Sequence, residues 1–194
     1  MSSEKQTSLT DEINKCIEIL EKGGLILYPT DTVWGIGCDA TNELAVAKLL
    51  TLKQRDSSMG LICLVANDAM LEKHVTQVPE LAYDIMDLST KPTTIIYDEP
   101  KGVAKNVIAS DNTLAIRVAT DKFCTYLIGK FKKPIVATSA NSSGAATPKS
   151  FQNIGKPILS GVDYVVNLQQ DQQNNFPSSI IRLSNTGNVK IIRE

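Results

Sequence analysis

Histidine is nearly absent from this chain: His74 is the only one in 194 residues. It has no triad companion, and neither G-x-S-x-G nor H-E-x-x-H occurs, so His74 reads as a surface residue. The four cysteines, Cys16, Cys38, Cys63 and Cys124, include no C-x-x-C pair. That scatter offers no zinc site and no disulfide framework, and it suits a reducing cytosol. A G-x-x-x-x-G-K-[ST] loop is missing too, so a phosphate site would have to be built another way. The net charge is only −1, which argues against holding nucleic acid by bulk positive charge, though a local basic patch stays compatible. No apolar run approaches membrane-spanning length, and residues 1–7 lack the apolar stretch of a signal peptide. The expectation is a soluble, cytoplasmic protein with no removed signal and no membrane partner.

What is present suits one globular domain over residues 1–194. Hydrophobic residues make up 42% and charged residues 21% of the chain, ordinary values that exclude disorder of the whole. Thr10-Asp11-Glu12 offers a helix cap, and Ile13, Ile17 and Leu20 follow at helical spacing until Gly23-Gly24. Residues 25–28, Leu-Ile-Leu-Tyr, form a short strand that runs into Pro29 and the polar turn Thr30-Asp31-Thr32. Val33-Trp34 and two glycines, Gly35 and Gly37, continue it as a loop. A strand that opens into hydroxyls and glycines is a common pocket wall in α/β proteins. A second helix starts at Asn42-Glu43, with Leu44, Ala47, Leu49 and Leu50 as its apolar side. Residues 61–66 read as a central strand. A helix follows Pro79, strands cover 93–97, 114–118 and 134–137, and a helix covers 123–131. A Pro-marked helix near Ser150, a strand at 164–166 and a hairpin of 179–183 with 189–193 close the chain. Between them, 169–177 is Gln/Asn-rich and reads as a mobile loop, with a lid over a ligand as the other reading of 169–175. The fold class is α/β, with a mixed sheet and surrounding helices.

Three features carry candidate chemistry. Lys53 and Arg55 stand where a helix end meets a loop. Two cations one residue apart share a side if the chain is extended there, and both would then reach a phosphate or carboxylate. The ordinary alternative is a solvated helix terminus. Thr138-Ser139-Ala140-Asn141-Ser142-Ser143-Gly144 follows an apolar strand, where hydroxyls, an amide and backbone N–H groups bind phosphate oxygens; such residues are also plain turn formers. Arg117 lies inside the apolar run Leu114-Ala115-Ile116-Arg117-Val118 and needs either a structural carboxylate or an anionic ligand. Asp31 could hold a metal or act as a base, and an Asp after proline is most often a local cap. Cys38 reads as a small buried filler.

Taken in order, these pieces resemble one family. Tyr28-Pro29-Thr30-Asp31-Thr32-Val33-Trp34-Gly35-Ile36-Gly37 is similar to the Y-P-T-D-T-V-Y-G-L-G signature of the YrdC/TsaC family, with Trp34 in place of tyrosine. Lys53-Gln54-Arg55 resembles its K-x-R element, and 138–144 resembles T-S-A-N-x-S-G. Pro177-Ser178-Ser179-Ile180 and Ile191-Ile192-Arg193 resemble its closing P-S-[TE]-[IV] and I-L-R elements. The resemblance is collinear from about Leu25 to the C-terminus. It implies a twisted mixed sheet around a large concave, positively lined cavity (YrdC-like), and L-threonylcarbamoyladenylate synthase activity. L-threonine, bicarbonate and ATP would give threonylcarbamoyl-AMP and pyrophosphate, for N6-threonylcarbamoyladenosine in tRNA. By position, the resemblance puts Thr32, Arg117 and Ser178 at the threonine. It puts Lys53 and Arg55 at the ATP phosphates as the catalytic cations, and Thr113, Ser139, Asn141 and Arg193 at the nucleotide. Mg²⁺ would come with the triphosphate, with no protein side chain holding metal. Double-stranded RNA or tRNA and a downstream threonylcarbamoyl-transferase complex are the implied partners. Two departures stand out: Asp56 and Met59 replace the proline and lysine of K-x-R-P-x-x-K, and Ser89-Thr90-Lys91-Pro92-Thr93-Thr94 replaces W-P-G-P-x-T. They motivate an alternative, a divergent non-catalytic paralogue that acts as an RNA-binding module.

Overall fold

A computed structural model describes residues 8–56, 58, 60–171 and 176–194. Met59, residues 1–7 and residues 172–175 of the Gln/Asn-rich stretch lie outside the described residues.

Helix α1, Leu9–Glu21, begins earlier than the sequence suggests. Ser8 is its N-cap, with Oγ accepting from the Asp11 N–H at 3.2 Å; a serine ahead of Thr10 satisfies the first-turn donors, and Thr10 falls inside the helix. Strand β1, Ile26–Tyr28, follows. The glycine segment then departs from the loop expectation: Gly35–Gly37 is strand β2, paired antiparallel with β1. Helix α2, Glu43–Lys53, is capped by Asn42, whose Oδ1 accepts from the Leu44 and Ala45 N–H groups. Its buried stripe is Ala45, Val46, Leu49 and Leu50. Leu44 is 83% exposed, so the apolar side lies one residue round from the expected one. Strand β3 is Ile62–Val65, helix α3 Asp68–His74 and helix α4 Glu80–Leu88. Strand β4, Thr93–Asp98, strand β5, Thr113–Val118, helix α5, Lys122–Phe131, and strand β6, Ile135–Ser139, come next. Helix α6, Lys156–Gly161, strand β7, Tyr164–Val165, and the hairpin of β8, Ser179–Leu183, with β9, Val189–Arg193, complete the chain.

Among the described residues these strands form one sheet in the order β7-β1-β2-β6-β3-β5-β4-β8-β9. It is mixed: β1/β7, β3/β5 and β4/β8 are parallel, and the other neighbours are antiparallel. Successive side chains alternate across the sheet, so each strand feeds both faces. One face carries Leu25, Leu27, Cys63, Val65, Leu114, Ile116 and Val136, packed with Val46 and Leu49 of α2, Leu71 of α3 and Ile158 of α6. The other carries Ile26, Tyr28, Leu64 and Ile135 under Leu20 of α1 and Phe123, Leu127 and Phe131 of α5. Helices α1 and α5 cover only part of that second face. Across its uncovered part runs a row of paired residues, Ala137, Ile62, Ala115 and Ile96, from four neighbouring strands. That row is the floor of the cavity described next.

Candidate active site

The cavity has a volume of about 430 Å³ and spans the open face from β2 to β9. Small residues make the room: Gly35, Ala115 and Ala137 line it where larger side chains would fill it. Ile96, Ile180 and Ile192 form an apolar wall. Three arginines, Arg55, Arg117 and Arg193, enter the same space, together with Thr32, Thr113, Ser139 and Ser178.

Each cation reaches its place by a different route. Arg117 is the fifth residue of β5, so it shares a face with Thr113 and Ala115. It is 5% exposed. Its Nη1 donates to Thr32 Oγ1 at 3.3 Å and lies 3.1 Å from Asp31 Oδ1. The partner that a buried arginine requires is thus a carboxylate of the chain itself, and Asp31 is no local cap. Arg55 lies past the end of α2. Gln54 takes the left-handed conformation (φ 53°), so the segment is not extended and Lys53 and Arg55 do not share a side. Arg55 turns into the cavity, with Nη2 donating to Gly60 O at 2.9 Å and Nε buried without a hydrogen bond among the described residues. Arg193 clamps the start of β8: Nε and Nη2 donate to Ser178 O at 3.0 and 2.7 Å. Burial depresses the affinity of Arg55 and Arg193 for their protons, and the Arg117 charge adds to the effect on Arg193.

Lys53 departs from the expectation of a side chain facing the cavity. It is 2% exposed and is not among the residues that line the space. Its Nζ donates to Ser139 O at 2.5 Å and Asn141 O at 2.7 Å, while Ser143 N donates back to Lys53 O at 2.7 Å. Lysine and loop thereby hold each other. Burial, helped by the Arg55 charge, lowers the Lys53 pKa to about 8. Asn141 also sits behind the lining: Nδ2 donates to Ser142 O and Ala145 O, and Oδ1 is buried with no partner among the described residues.

The hydroxyls are prearranged. Thr30 Oγ1 donates to Val33 O and lies 2.9 Å from Thr32 Oγ1. Thr113 Oγ1 donates to Asp111 Oδ1 at 2.7 Å, which leaves it only acceptor capacity toward a ligand. Ser178 Oγ pairs at 2.8 Å with Thr94 Oγ1, which is fully buried. Asp111, Thr94 and Thr30 are supporting residues that sequence reasoning did not assign. Thr30 stood beside Thr32, and Asp111 lies only two residues before Thr113, its partner; Thr94 lies 84 residues from Ser178, a separation that local spacing does not bridge. Trp34 turns away from the cavity and packs on Phe151, ring centroids 4.9 Å apart. The cysteines are all buried and free, and burial pushes the Cys16 and Cys63 thiols up to about 12, so neither supplies a thiolate nucleophile at neutral pH.

A family model for the Sua5/YciO/YrdC proteins, described as Telomere recombination, matches residues 18–194. The chain belongs to the Sua5/YciO/YrdC family. A threonylcarbamoyl-AMP synthase of Acinetobacter baumannii is 33% identical over 181 residues, covering 89% of this chain and 94% of the relative. A double variant of P. abyssi Sua5 superposes with a TM-score of 0.86 at 23% identity, over 97% of this chain and 57% of that one. P. abyssi Sua5 complexed with L-threonine gives a TM-score of 0.80 at 24% identity, over 92% of this chain and 52% of that one. At such identities the two structures speak for the fold: this Sua5/YciO/YrdC chain spans a little over half of the longer Sua5 chain. Among the described residues no helix is long and apolar enough to cross a membrane.

Proposed function

We propose that residues 1–194 act as one YrdC-like unit, an L-threonylcarbamoyladenylate synthase that makes threonylcarbamoyl-AMP from L-threonine, bicarbonate and ATP. The observation that carries this reading is the convergence of Arg117 with Thr32, and of Arg55 with Arg193, on one hydroxyl-lined cavity. The likeness to the Acinetobacter synthase over nearly its full length supports it.

In this reading Arg117, Thr32 and Ser178 receive the threonine. Its amine and bicarbonate condense to a carbamate with loss of water. A carbamate oxygen attacks the α-phosphorus of ATP, the bond to the bridging oxygen breaks, and pyrophosphate leaves. Negative charge builds on phosphoryl oxygens and on the leaving group, so fixed cations and positioning do the work that a nucleophile does elsewhere. Arg55 and Arg193 face the phosphates and nucleotide, with Thr113 and Ser139 beside them. Lys53 contributes in two ways: its charge lies under the phosphate end, and its two hydrogen bonds hold Ser139 and Asn141. Magnesium would enter with ATP, held by phosphate oxygens and water. The product would pass to a threonylcarbamoyl-transferase complex in the cytoplasm, with tRNA as the final acceptor and direct contact with double-stranded RNA as a further part of the reading.

The test is pyrophosphate release. It should require ATP, L-threonine and bicarbonate together; threonine-independent turnover, or none, overturns the reading. Arg55→Ala should lower kcat/KM for ATP by roughly 100-fold, the scale of one charge-assisted donor lost from a transition state. Its one side-chain hydrogen bond among the described residues goes to Gly60 O, so melting temperature should change little. An unchanged kcat/KM would move the phosphates away from Arg55.

A further inference from the structure

Asp31 is not among the residues that line the cavity, and neither is Thr120, yet both stand behind residues that do. Asp31 Oδ1 lies 3.1 Å from Arg117 Nη1. This is a charge contact, since Oδ1 is buried and receives no aligned hydrogen bond among the described residues. Its other oxygen, Oδ2, accepts from Thr120 Oγ1 at 3.0 Å. On the cavity side, Arg117 Nη1 donates to Thr32 Oγ1, while Arg117 Nε is buried with no hydrogen bond among the described residues.

A guanidinium is a rigid planar fork, so contacts on one limb decide where the other points. A cation this buried also needs a counter-charge to stay charged and in place. The other nearby carboxylate is poorly suited to supply it. Asp121 Oδ1 is committed to the Cys124 N–H at the start of α5, and burial pushes the Asp121 carboxyl up, with the Asp31 charge adding to that. We propose that Asp31 is a positioning residue for L-threonine: it neutralises Arg117 and holds its guanidinium at the cavity for the substrate carboxylate, while Thr120 fixes Asp31. The inference rests on the synthase reading and deepens it, because it separates the residue that touches threonine from the one that acts through it. It opposes a second possibility with the reverse sign, in which Asp31 competes with threonine for Arg117.

Calorimetric titration of L-threonine into the wild-type, Asp31→Asn, Asp31→Glu and Thr120→Val proteins tests this, with KM for threonine and ATP measured on the same preparations. Asp31→Asn should weaken threonine binding and raise its KM by at least about tenfold, with the ATP KM within about twofold of wild type. Asp31→Glu, which keeps the charge, should recover part of the loss. Thr120 is exposed, so Thr120→Val spares the fold and should weaken threonine binding by about threefold. Unchanged or tighter threonine binding by Asp31→Asn overturns the inference, and so does an equal rise in both KM values. If Asp31→Asn does not fold, unchanged threonine binding by Thr120→Val overturns it instead. Wild-type protein without threonine-dependent pyrophosphate release sinks the synthase reading and this inference with it. Wild-type protein with that activity, beside an Asp31→Asn protein of unchanged threonine affinity, sinks only the inference.

Discussion

Lys53 keeps a charge where there is almost no water, and its surroundings make that charge sensitive to pH. Burial and the neighbouring Arg55 bring its pKa to about 8, from an ordinary 10.5. The sign follows from proton binding. Between those values the unfolded chain holds a proton that the folded protein has released, so raising the pH across that window favours the folded state. The wild-type protein should therefore gain stability relative to Lys53→Met between pH 8 and pH 10, by at most about 3 kcal/mol. Urea midpoints of the two proteins at both pH values measure it, and parallel changes would show that Lys53 is not the group responsible. At this scale the sequence was readable in part. Lys53, Arg55 and Arg117 stood out as cations in apolar or turn contexts. The pairings of Lys53 and Arg117 did not, although Ser139, Asn141 and Asp31 were candidates in their own right, because each lies 86 residues or more from the cation it meets. Local spacing carries no trace of such pairings.

Strand β2 shows what a single element adds. Two glycines one residue apart read as a loop, since glycine weakens strands and favours turns. The sheet overrides that preference, because both glycines lie on the second face. A Cβ on Gly37 would stand 2.5 Å from Val136 O and 2.7 Å from the Tyr28 ring, whereas one on Gly35 would meet nothing closer than 3.5 Å. The two positions should respond differently. Gly37→Ala should cost about 3 kcal/mol, since backbone and a buried ring must move. Gly35→Ala should stay within about 1 kcal/mol of wild type in stability, while it narrows the cavity that Gly35 lines. Denaturant midpoints separate the two, and equal losses would mean that neither close approach matters. Helix α2 was legible at its start, where Asn42 is a plain cap, and misread in its stripe, where Leu44 points outward. Caps are local chemistry; which side of a helix is buried depends on what lies against it.

For the molecule as a whole, the cavity exists because α1 and α5 cover only part of the second sheet face. The last hairpin then closes one side of it. Strand β9 is exposed along its length and contributes no residue to either buried cluster, yet it delivers Ile192 and Arg193 to the site. Removing residues 189–194 should leave a cooperatively melting protein by circular dichroism and reduce threonine-dependent pyrophosphate release by roughly 100-fold or more. Full activity after truncation would remove Arg193 from the machinery. By itself, the sequence determined the alternating strands and helices, the cap at Asn42, the closing hairpin and the cluster of cations and hydroxyls, because periodicity, capping and turn chemistry act over a few residues. It also carried the likeness that points to a threonine- and ATP-dependent enzyme. Only the tertiary structure decided that Lys53 lies behind the lining while Arg55 enters it, that Asp31 pairs with Arg117, and which sheet face stays open. Those outcomes depend on long-range register and on burial, where a charge takes whichever partner the folded chain brings within reach.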